Sequence, residues 1–482
     1  MDSVAPGAHF RGRALQQAAA THPLALVPAA LGLAWAALLA ARGLGLHRSL
    51  GIPAYDTAYF QQLTWGITNG HVFHASFLAG NFLGLHFSPL LVIPAALELV
   101  WPGAPTLTML GALSLGMVVP ATYLATRTIL PQTRRAHLLA VGLSIVLPLS
   151  PPLQEAAWSS FHPELMALPA LLFAAWAGLT DRRWLAMGLV AVALMAKEDV
   201  AYQVVVVGAL LVVAGGTVAR RRLGAGVMAV GTVWGTLVLL VVMPLIRGGT
   251  TTDIASYYAW LRTARLPQVA AALAVPQPYA LVLLSLLALG LLPLLRPGFA
   301  LLAVPPFIAA VLSRHHSQSL LQLQYALPLA LPLVLGAALG GRRFLAWTEH
   351  RPVRRPAYVA ASLMAAAAVV VAATGSVSRH VVLQFVAASD VNRQAAARQA
   401  LTLVPAAAEV DLDDDLAAPA ASRASLHLLP HLSPQAFVLV DAQGSAPGYS
   451  NSSGRDRAVR ELPQRRRLLF SDAGVQLWSP QT

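Results

Sequence analysis

The chain has no cysteine and only one lysine, Lys197, among 33 basic residues. Without a thiol there is no disulfide, no thiolate nucleophile and no cysteine-ligated metal. Charge of both signs is scarce. Charged residues make up 11% of the 482-residue chain, against roughly 25% in soluble domains. Together with 57% hydrophobic residues, that excludes an ordinary water-soluble fold. What is present instead is a series of apolar runs, several of about 20 residues, the length of a helix that crosses a bilayer core. The net charge of +13 suggests nucleic acid until the arginines are located. Most lie in short loops between apolar runs, the positive-inside pattern of a polytopic membrane protein. Membrane lipids are therefore the expected partners, and nucleic acid is not.

Spanning helices are expected near Leu24–Ala41, Thr106–Thr126, His137–Leu149, Leu165–Leu179, Trp184–Ala196, Val200–Ala219, Val227–Ile246, Tyr279–Leu295, Phe299–Leu312, Leu323–Gly340 and Tyr358–Thr374, about eleven in all. With a cytoplasmic N-terminus, the inner segments hold sixteen basic residues and the outer loops seven, which fixes the sign of the orientation. The run from His86 to Trp101 is apolar but short and contains Pro89 and Pro94. Counting it as a span would invert every later loop, so it reads as a juxtamembrane or re-entrant helix within a long first outer loop. The first apolar run is long for a signal-peptide core and reads as a retained helix.

The composition changes after Thr374. Residues 375–482 hold ten of the 20 acidic residues and ten of the 33 basic ones, with no membrane-length run. Ala436–Val440 and Val475–Trp478 read as strands and Val391–Leu403 as a helix. The expected organisation is thus an all-α membrane bundle over 1–374 and a small extracytoplasmic α/β domain over 375–482. The cluster Asp411, Asp413, Asp414 and Asp415 has the chemistry to bind a cation, but it reads as a solvated turn, since no glycine-bearing calcium-loop spacing accompanies it.

Polar residues collect on the outer side. The first outer loop carries Tyr55-Asp56-Thr57, His71, His74 and His86; the second carries Glu155, Trp158 and Phe161-His162-Pro163-Glu164. A third is Lys197-Glu198-Asp199, and later loops add Asp253, Tyr257, Tyr258, Arg314, His315, His316, Gln324 and Tyr325. Each has a bland reading. Asp56 suits a helix N-cap, Pro163-Glu164 an ordinary helix start, and Lys197 an ion pair between helix ends. Yet three adjacent charges between two apolar runs exceed what a turn needs, and ionisable groups at membrane depth are costly. Their recurrence on one side points to a site at the outer leaflet.

Tyr55-Asp56, His86-Phe87-Ser88-Pro89, Phe161-His162-Pro163-Glu164 and Lys197-Glu198-Asp199, in this order, resemble the DUF2079 family of prokaryotic polytopic membrane proteins over nearly the whole chain, including Leu428–Leu432. That resemblance implies no activity. More distantly, the chain is similar to the C-type (GT-C) membrane glycosyltransferases, which take sugars from polyprenyl phosphates. Asp56, the His86–Leu90 segment, Glu155, His162, Glu164 and Lys197 occupy comparable places. The departures are the missing acidic neighbour of Asp56, the Phe-Ser after His86 and the acidic pair after Lys197.

What this second resemblance implies can be stated chemically. Asp56 would deprotonate an acceptor hydroxyl or hold a divalent cation, Mg²⁺ or Mn²⁺. His86, His162 and Glu164 would orient the acceptor, or His162 and Glu164 would complete the metal shell with Asp56. Lys197 would oppose the charge of the departing phosphate, and Glu198, Asp199, Glu155, Gln324 and Tyr325 would complete the substrate site. The donor would be a polyprenyl-phosphate-linked sugar at the outer face. The competing readings are a transporter or flippase using the same polar groups, with a pathway to both faces, and a non-catalytic assembly protein with no cavity joining the loops. Sugar, acceptor and oligomeric state are not written in the sequence.

Overall fold

In the computed structural model the described residues are 26–52, 54–76, 80–158, 161–214, 216–248, 253–349, 391–442 and 452–481. The chain is mostly helical, with a small sheet near its C-terminus. Among the described residues four helices are long and apolar enough to cross a membrane: Leu26–Arg48, Ala104–Ile129, Val218–Arg247 and His316–Glu349. Counting two bent pairs as single spans gives six; these are Arg134–Leu149 with Pro151–Trp158 and Leu266–Leu273 with Pro276–Ala288. Glu164–Leu179, Arg183–Leu194, Val200–Ala214 and Pro297–Val311 are apolar but shorter. The expected span Tyr358–Thr374 lies outside the described residues.

Local chemistry sets these limits. Thr133 and Thr217 cap the helices that follow them, their hydroxyls accepting from the Ala136 and Arg220 amides, as N-cap threonines do. The Glu164–Leu179 helix stops before Asp181, which takes a left-handed φ of 61°. The bundle closes where side chains are smallest. A Cβ on Gly116 would lie 2.6 Å from the Gly32 carbonyl oxygen, and one on Gly208 would lie 2.6 Å from that of Gly224. Such small-residue seams let membrane helices approach closely.

The His86–Trp101 run does not form one helix. It divides into a 3₁₀ turn, Pro89–Leu91, and a helix, Val92–Glu98. Leu97, Leu99, Val100 and Trp101 are exposed, an apolar face suited to lying at a membrane interface. Behind it, Glu98 is buried and accepts hydrogen bonds from the Gln61 amide and the Thr64 hydroxyl.

The C-terminal sheet has five strands, β1 (Val410–Leu412), β2 (Leu426–Leu428), β3 (Phe437–Asp441), β4 (Leu468–Asp472) and β5 (Val475–Trp478), in the order β2-β1-β3-β5-β4. β1 runs parallel to β2 and β3, while β5 is antiparallel to β3 and β4. Its core is shared with the segment after the first long helix, since Leu50, Ala54 and Ala58 pack with Val410, Leu412 and Leu426. Hydrogen bonds reinforce the contact. Gln62 donates to the Arg423 carbonyl at 2.8 Å, and Gln394 to the His47 carbonyl at 3.0 Å.

The aspartate cluster is not a solvated turn. Asp411, Asp413, Asp414 and Asp415 are at most 2% exposed. Asp413 takes a two-pronged ion pair from Arg455 at 2.8–2.9 Å, Asp414 accepts from the Ala54 amide, and Asp415 pairs with Arg393. Local composition is polar, but the arginines that pay for burial are distant in sequence.

Candidate functional site

Four backbone breaks meet at one level of the bundle. Asn81 caps the short turn Phe82–Leu85, and His86 leaves it in an extended conformation. Pro163 occupies the N-cap of the Glu164–Leu179 helix. Residues 195–199 separate helices that end at Leu194 and begin at Val200. The 3₁₀ turn Leu323–Ala326 opens the last long helix. The Met195 carbonyl accepts from the Leu90 amide at 2.9 Å, so the third of these breaks is tied backbone to backbone to the segment that follows the first.

Side chains complete the join. Glu198 accepts from the Phe87 amide at 2.9 Å, and its other oxygen lies 3.1 Å from His86 Nδ1. Lys197 Nζ donates to Glu164 Oε1 at 2.5 Å and lies 3.8 Å from Asp199 Oδ2. It also stands 5.7 Å from the centre of the Tyr325 ring, within cation–π range. Glu155 accepts from the Leu323 amide at 3.1 Å, which fixes the turn bearing Gln324 and Tyr325.

Two cavities share this wall. One, of about 330 Å³, is bordered by His86, His162, Glu164, Lys197, Gln324 and Tyr325, with Tyr55, Tyr59 and Tyr257 among its other walls. The second, of about 690 Å³, also meets His86, Lys197 and Tyr325 and adds Glu198 and Asp199. Its far end is apolar, formed by Val205, Gly231, Gly235, Leu239, Pro305 and Pro306. Leu239 and Leu240, in the π-helical turn Val238–Val242, border it and are exposed on the surface of the bundle. A polar chamber and an apolar one thus share a wall containing the ammonium of Lys197.

The electrostatics follow from burial. Desolvation alone would lower the Lys197 pKa, but Asp199, Glu164 and Glu198 outweigh it and hold the ammonium well above its usual range. Burial would raise Glu198, yet the His86 imidazole and Lys197 bring it down to about 2. Burial pushes Asp199 up to about 6 against the pull of Lys197. Its side chain is 49% exposed, and because that exposure is toward the cavity, solvent filling the chamber moderates the effect. His162 is buried and held down at about 4 by desolvation, so it is neutral at physiological pH, with its ring edge-on to Phe60 at 5.1 Å. One ammonium faces three carboxylates here.

The sequence-derived residues are distributed as follows. His86, His162, Glu164, Lys197, Gln324 and Tyr325 border the smaller cavity; Glu198 and Asp199 border the larger one. Glu155 borders neither and acts on the Leu323 turn. The backbone of Asp56 lies in the π-helical turn Ala54–Ala58, between the cavity-lining Tyr55 and Tyr59, and its side chain lies outside the described residues. The N-cap of the following helix, Tyr59–Thr68, falls at Ala58 with no side-chain cap. Among the described residues, no group of three or more potential ligands close enough to share one ion surrounds His162 and Glu164. The apolar chamber was not anticipated. Its signals are Gly231 and Gly235, one turn apart, and the Pro305-Pro306 pair.

A family model described as a predicted membrane protein, DUF2079, matches residues 46–444. No curated protein matches the chain. Among solved structures, ArnT from Cupriavidus metallidurans bound to undecaprenyl phosphate is similar at a TM-score of 0.50 and 12% identity, covering 93% of this chain and 97% of that one. The same protein in its apo state gives 0.45 at 14% identity, covering 89% and 93%. An oligosaccharyltransferase from Archaeoglobus fulgidus gives 0.38 at 13% identity, covering 91% of this chain and 69% of that one. At 12% identity the likeness to the first of these is one of fold.

Proposed function

The chain belongs to the DUF2079 family of predicted membrane proteins, and from its site we propose that it is a membrane glycosyltransferase of GT-C type acting on a polyprenyl-phosphate-linked sugar at the outer face. The carrying observation is the pair of chambers sharing the Lys197 wall. A lipid phosphate has the same division: an anionic head suited to an ammonium and a hydrocarbon tail suited to a groove that opens toward lipid. The fold likeness to a protein whose structure holds undecaprenyl phosphate supports the same lipid class.

In this reading the tail lies along Leu239, Pro305 and Pro306, and the phosphate rests against Lys197. The acceptor enters the smaller chamber, where neutral His162 and the Tyr55 and Tyr59 hydroxyl groups orient it. The acceptor oxygen attacks the anomeric carbon, the bond to the phosphate oxygen breaks with its electron pair, and the acceptor proton passes to the Asp56 carboxylate. The product is inverted, with no covalent enzyme intermediate.

The test is turnover of a radiolabelled polyprenyl-phosphate sugar by the purified chain, read as release of polyprenyl phosphate. Asp56→Asn should lower that release by at least about 100-fold, the usual weight of a positioned base, at unchanged melting temperature. Full turnover by the variant removes Asp56 from the reaction. Transfer of the intact lipid between leaflets of a vesicle without hydrolysis or sugar transfer would replace the glycosyltransferase reading with the flippase one.

A further inference from the structure

We infer that the C-terminal sheet carries a transition-metal site of the Zn²⁺ class, formed by Glu409, Asp411, His427 and His431. None of the four borders either chamber. β1 and β2 are parallel, and their register pairs Asp411 with His427, so the two side chains stand on one face. Glu409 lies two residues before Asp411 and shares that face by strand alternation. His431 is brought back over β1 because the Leu429 amide donates to the Leu412 carbonyl and the His431 amide to the Leu428 carbonyl.

The donor atoms converge. One ligand atom from each of the four residues lies within 4.8 Å of all the others. His427 Nδ1 is 3.1 Å from Glu409 Oε1 and 3.6 Å from Asp411 Oδ1, and His431 Nδ1 is 3.0 Å from Asp411 Oδ1. Zinc bonds of about 2.0–2.2 Å in a tetrahedron place neighbouring ligand atoms roughly 3.3 Å apart, so the three separations have the length of tetrahedral edges. His427 Nδ1 makes no hydrogen bond despite these oxygens. Its neighbours are close but out of line for an N–H donor, which is how co-ligands stand around a shared ion.

A second shell is already in place. The Ser433 amide donates to Asp411 Oδ2 at 2.6 Å, and the Ser433 hydroxyl to Glu409 Oε2 at 3.0 Å. One residue thus occupies one oxygen of each carboxylate and leaves the other turned toward the imidazoles, the orienting role that outer-shell partners play at metal sites. Two nitrogens and two oxygens suit Zn²⁺ and its neighbours better than Ca²⁺ or Mg²⁺, which prefer oxygen alone. Asp411 forms a fully buried floor while His431 is half-exposed, giving an ion a way in from solvent. β2 is the sheet edge, and Leu426, next to His427, exchanges hydrogen bonds with Ser76 of the first outer loop. An ion here clamps the edge that docks on that loop.

The test uses tag-free full-length protein in detergent, stripped with chelator and equilibrated with Zn²⁺ or Co²⁺. One bound equivalent is expected, with an intense visible cobalt band of four-coordinate type. His427→Ala and His431→Ala should each weaken binding by about 10–100-fold or more while leaving the metal-free melting temperature near wild type, since both imidazoles are partly exposed. Absence of stoichiometric metal in the wild type would show a hydrogen-bonded cluster only and overturn the site. So would occupancy unchanged in both variants. The wild-type cobalt spectrum stands apart from how the variants fold, and a weak six-coordinate band would also refute the assignment.

Discussion

Replacing Lys197 with methionine separates two roles that the structure gives to one ammonium. Lys197 is 8% exposed and Glu164 is 7% exposed, and the two meet at 2.5 Å. Removing one partner of a buried pair costs about 3–5 kcal/mol, because the remaining charge is stranded. Glu198 is less affected, since it keeps His86 and the Phe87 amide. Unfolding entropy of roughly 2.1 cal/mol/K per residue over 482 residues amounts to about 1 kcal/mol/K, so Lys197→Met should lower the melting temperature by about 3–5 °C. Adding Glu164→Gln removes the stranded charge and should recover most of that loss. Lipid binding should behave differently. A charge-assisted hydrogen bond to phosphate contributes about 1.5–3 kcal/mol, so the single and the double variant should both bind polyprenyl phosphate about 10–150-fold more weakly than wild type. Melting curves and equilibrium binding on the same preparations provide the measurement. If the double variant regains both stability and affinity, Lys197 is only a structural pair and the head-group role is refuted. If the single variant is as stable as wild type, the burial argument itself is wrong.

Asp199, with its pKa raised to about 6 by burial, should make phosphate-lipid binding tighten as pH falls through that value, because protonation removes one repelling charge beside Lys197. Asp199→Asn should abolish this component and leave only titration of the lipid phosphate, and an unchanged pH profile would remove Asp199 from the head-group environment. Glu98 is raised to about 7 by burial, against hydrogen bonds from Thr64 and Gln61. Its stabilising contribution is therefore full below the unfolded value near 4.3 and is lost as pH rises through about 7, on the order of a few kcal/mol. The melting temperature should fall between pH 5 and 8 in the wild type and fall less in Glu98→Gln; equal slopes would refute the assignment. For orientation, Ala407→Cys on an exposed turn of the C-terminal region should react with an impermeant thiol reagent from outside intact cells, and labelling only after permeabilisation would invert the topology.

Which residues would gather around the two chambers was more legible in the sequence than how they would be joined. Hydropathy located the apolar helices because a long run of leucine, valine and alanine has few alternatives in a membrane. Helix ends were less legible. Val200–Ala214 stops short of the expected Ala219, and Val218–Arg247 starts ahead of the expected Val227, because Thr217 caps a helix whose first turn is arginine and hydropathy discounts charged turns. In the C-terminal sheet, β1 and β2 are three residues each, too short to show alternation, whereas Val475–Trp478 appeared from its own composition. Burial of the aspartates was illegible for a different reason. Their partners Arg393, Arg455 and Ala54 lie 22, 42 and 360 positions away from them, and no local pattern encodes such a pairing.

The same distinction explains the site. The bland reading of the triplet after Ala196 is an ion pair within it, and Lys197 does lie 3.8 Å from Asp199 Oδ2. The shorter contacts cross the chain: Lys197 reaches back to Glu164, and Glu198 reaches back to His86 and Phe87. Adjacent residues on a turn diverge, so opposite charges at consecutive positions each serve a different segment more readily than each other. That crossing is what binds the three sequence motifs into one wall. It also places an ammonium where its counter-charge comes from a helix N-terminus, a position at which a carboxylate is favoured and gives up its partner to an incoming phosphate at a cost. Lys197→Arg tests this exchange. A guanidinium can hold Glu164 in a two-pronged grip that a single ammonium cannot, so the arginine variant should match or exceed wild-type stability while binding polyprenyl phosphate more weakly. An arginine variant that binds the lipid as well as wild type would mean that the phosphate does not compete with Glu164 for this cation, and the shared wall would then need another positive group to hold the head.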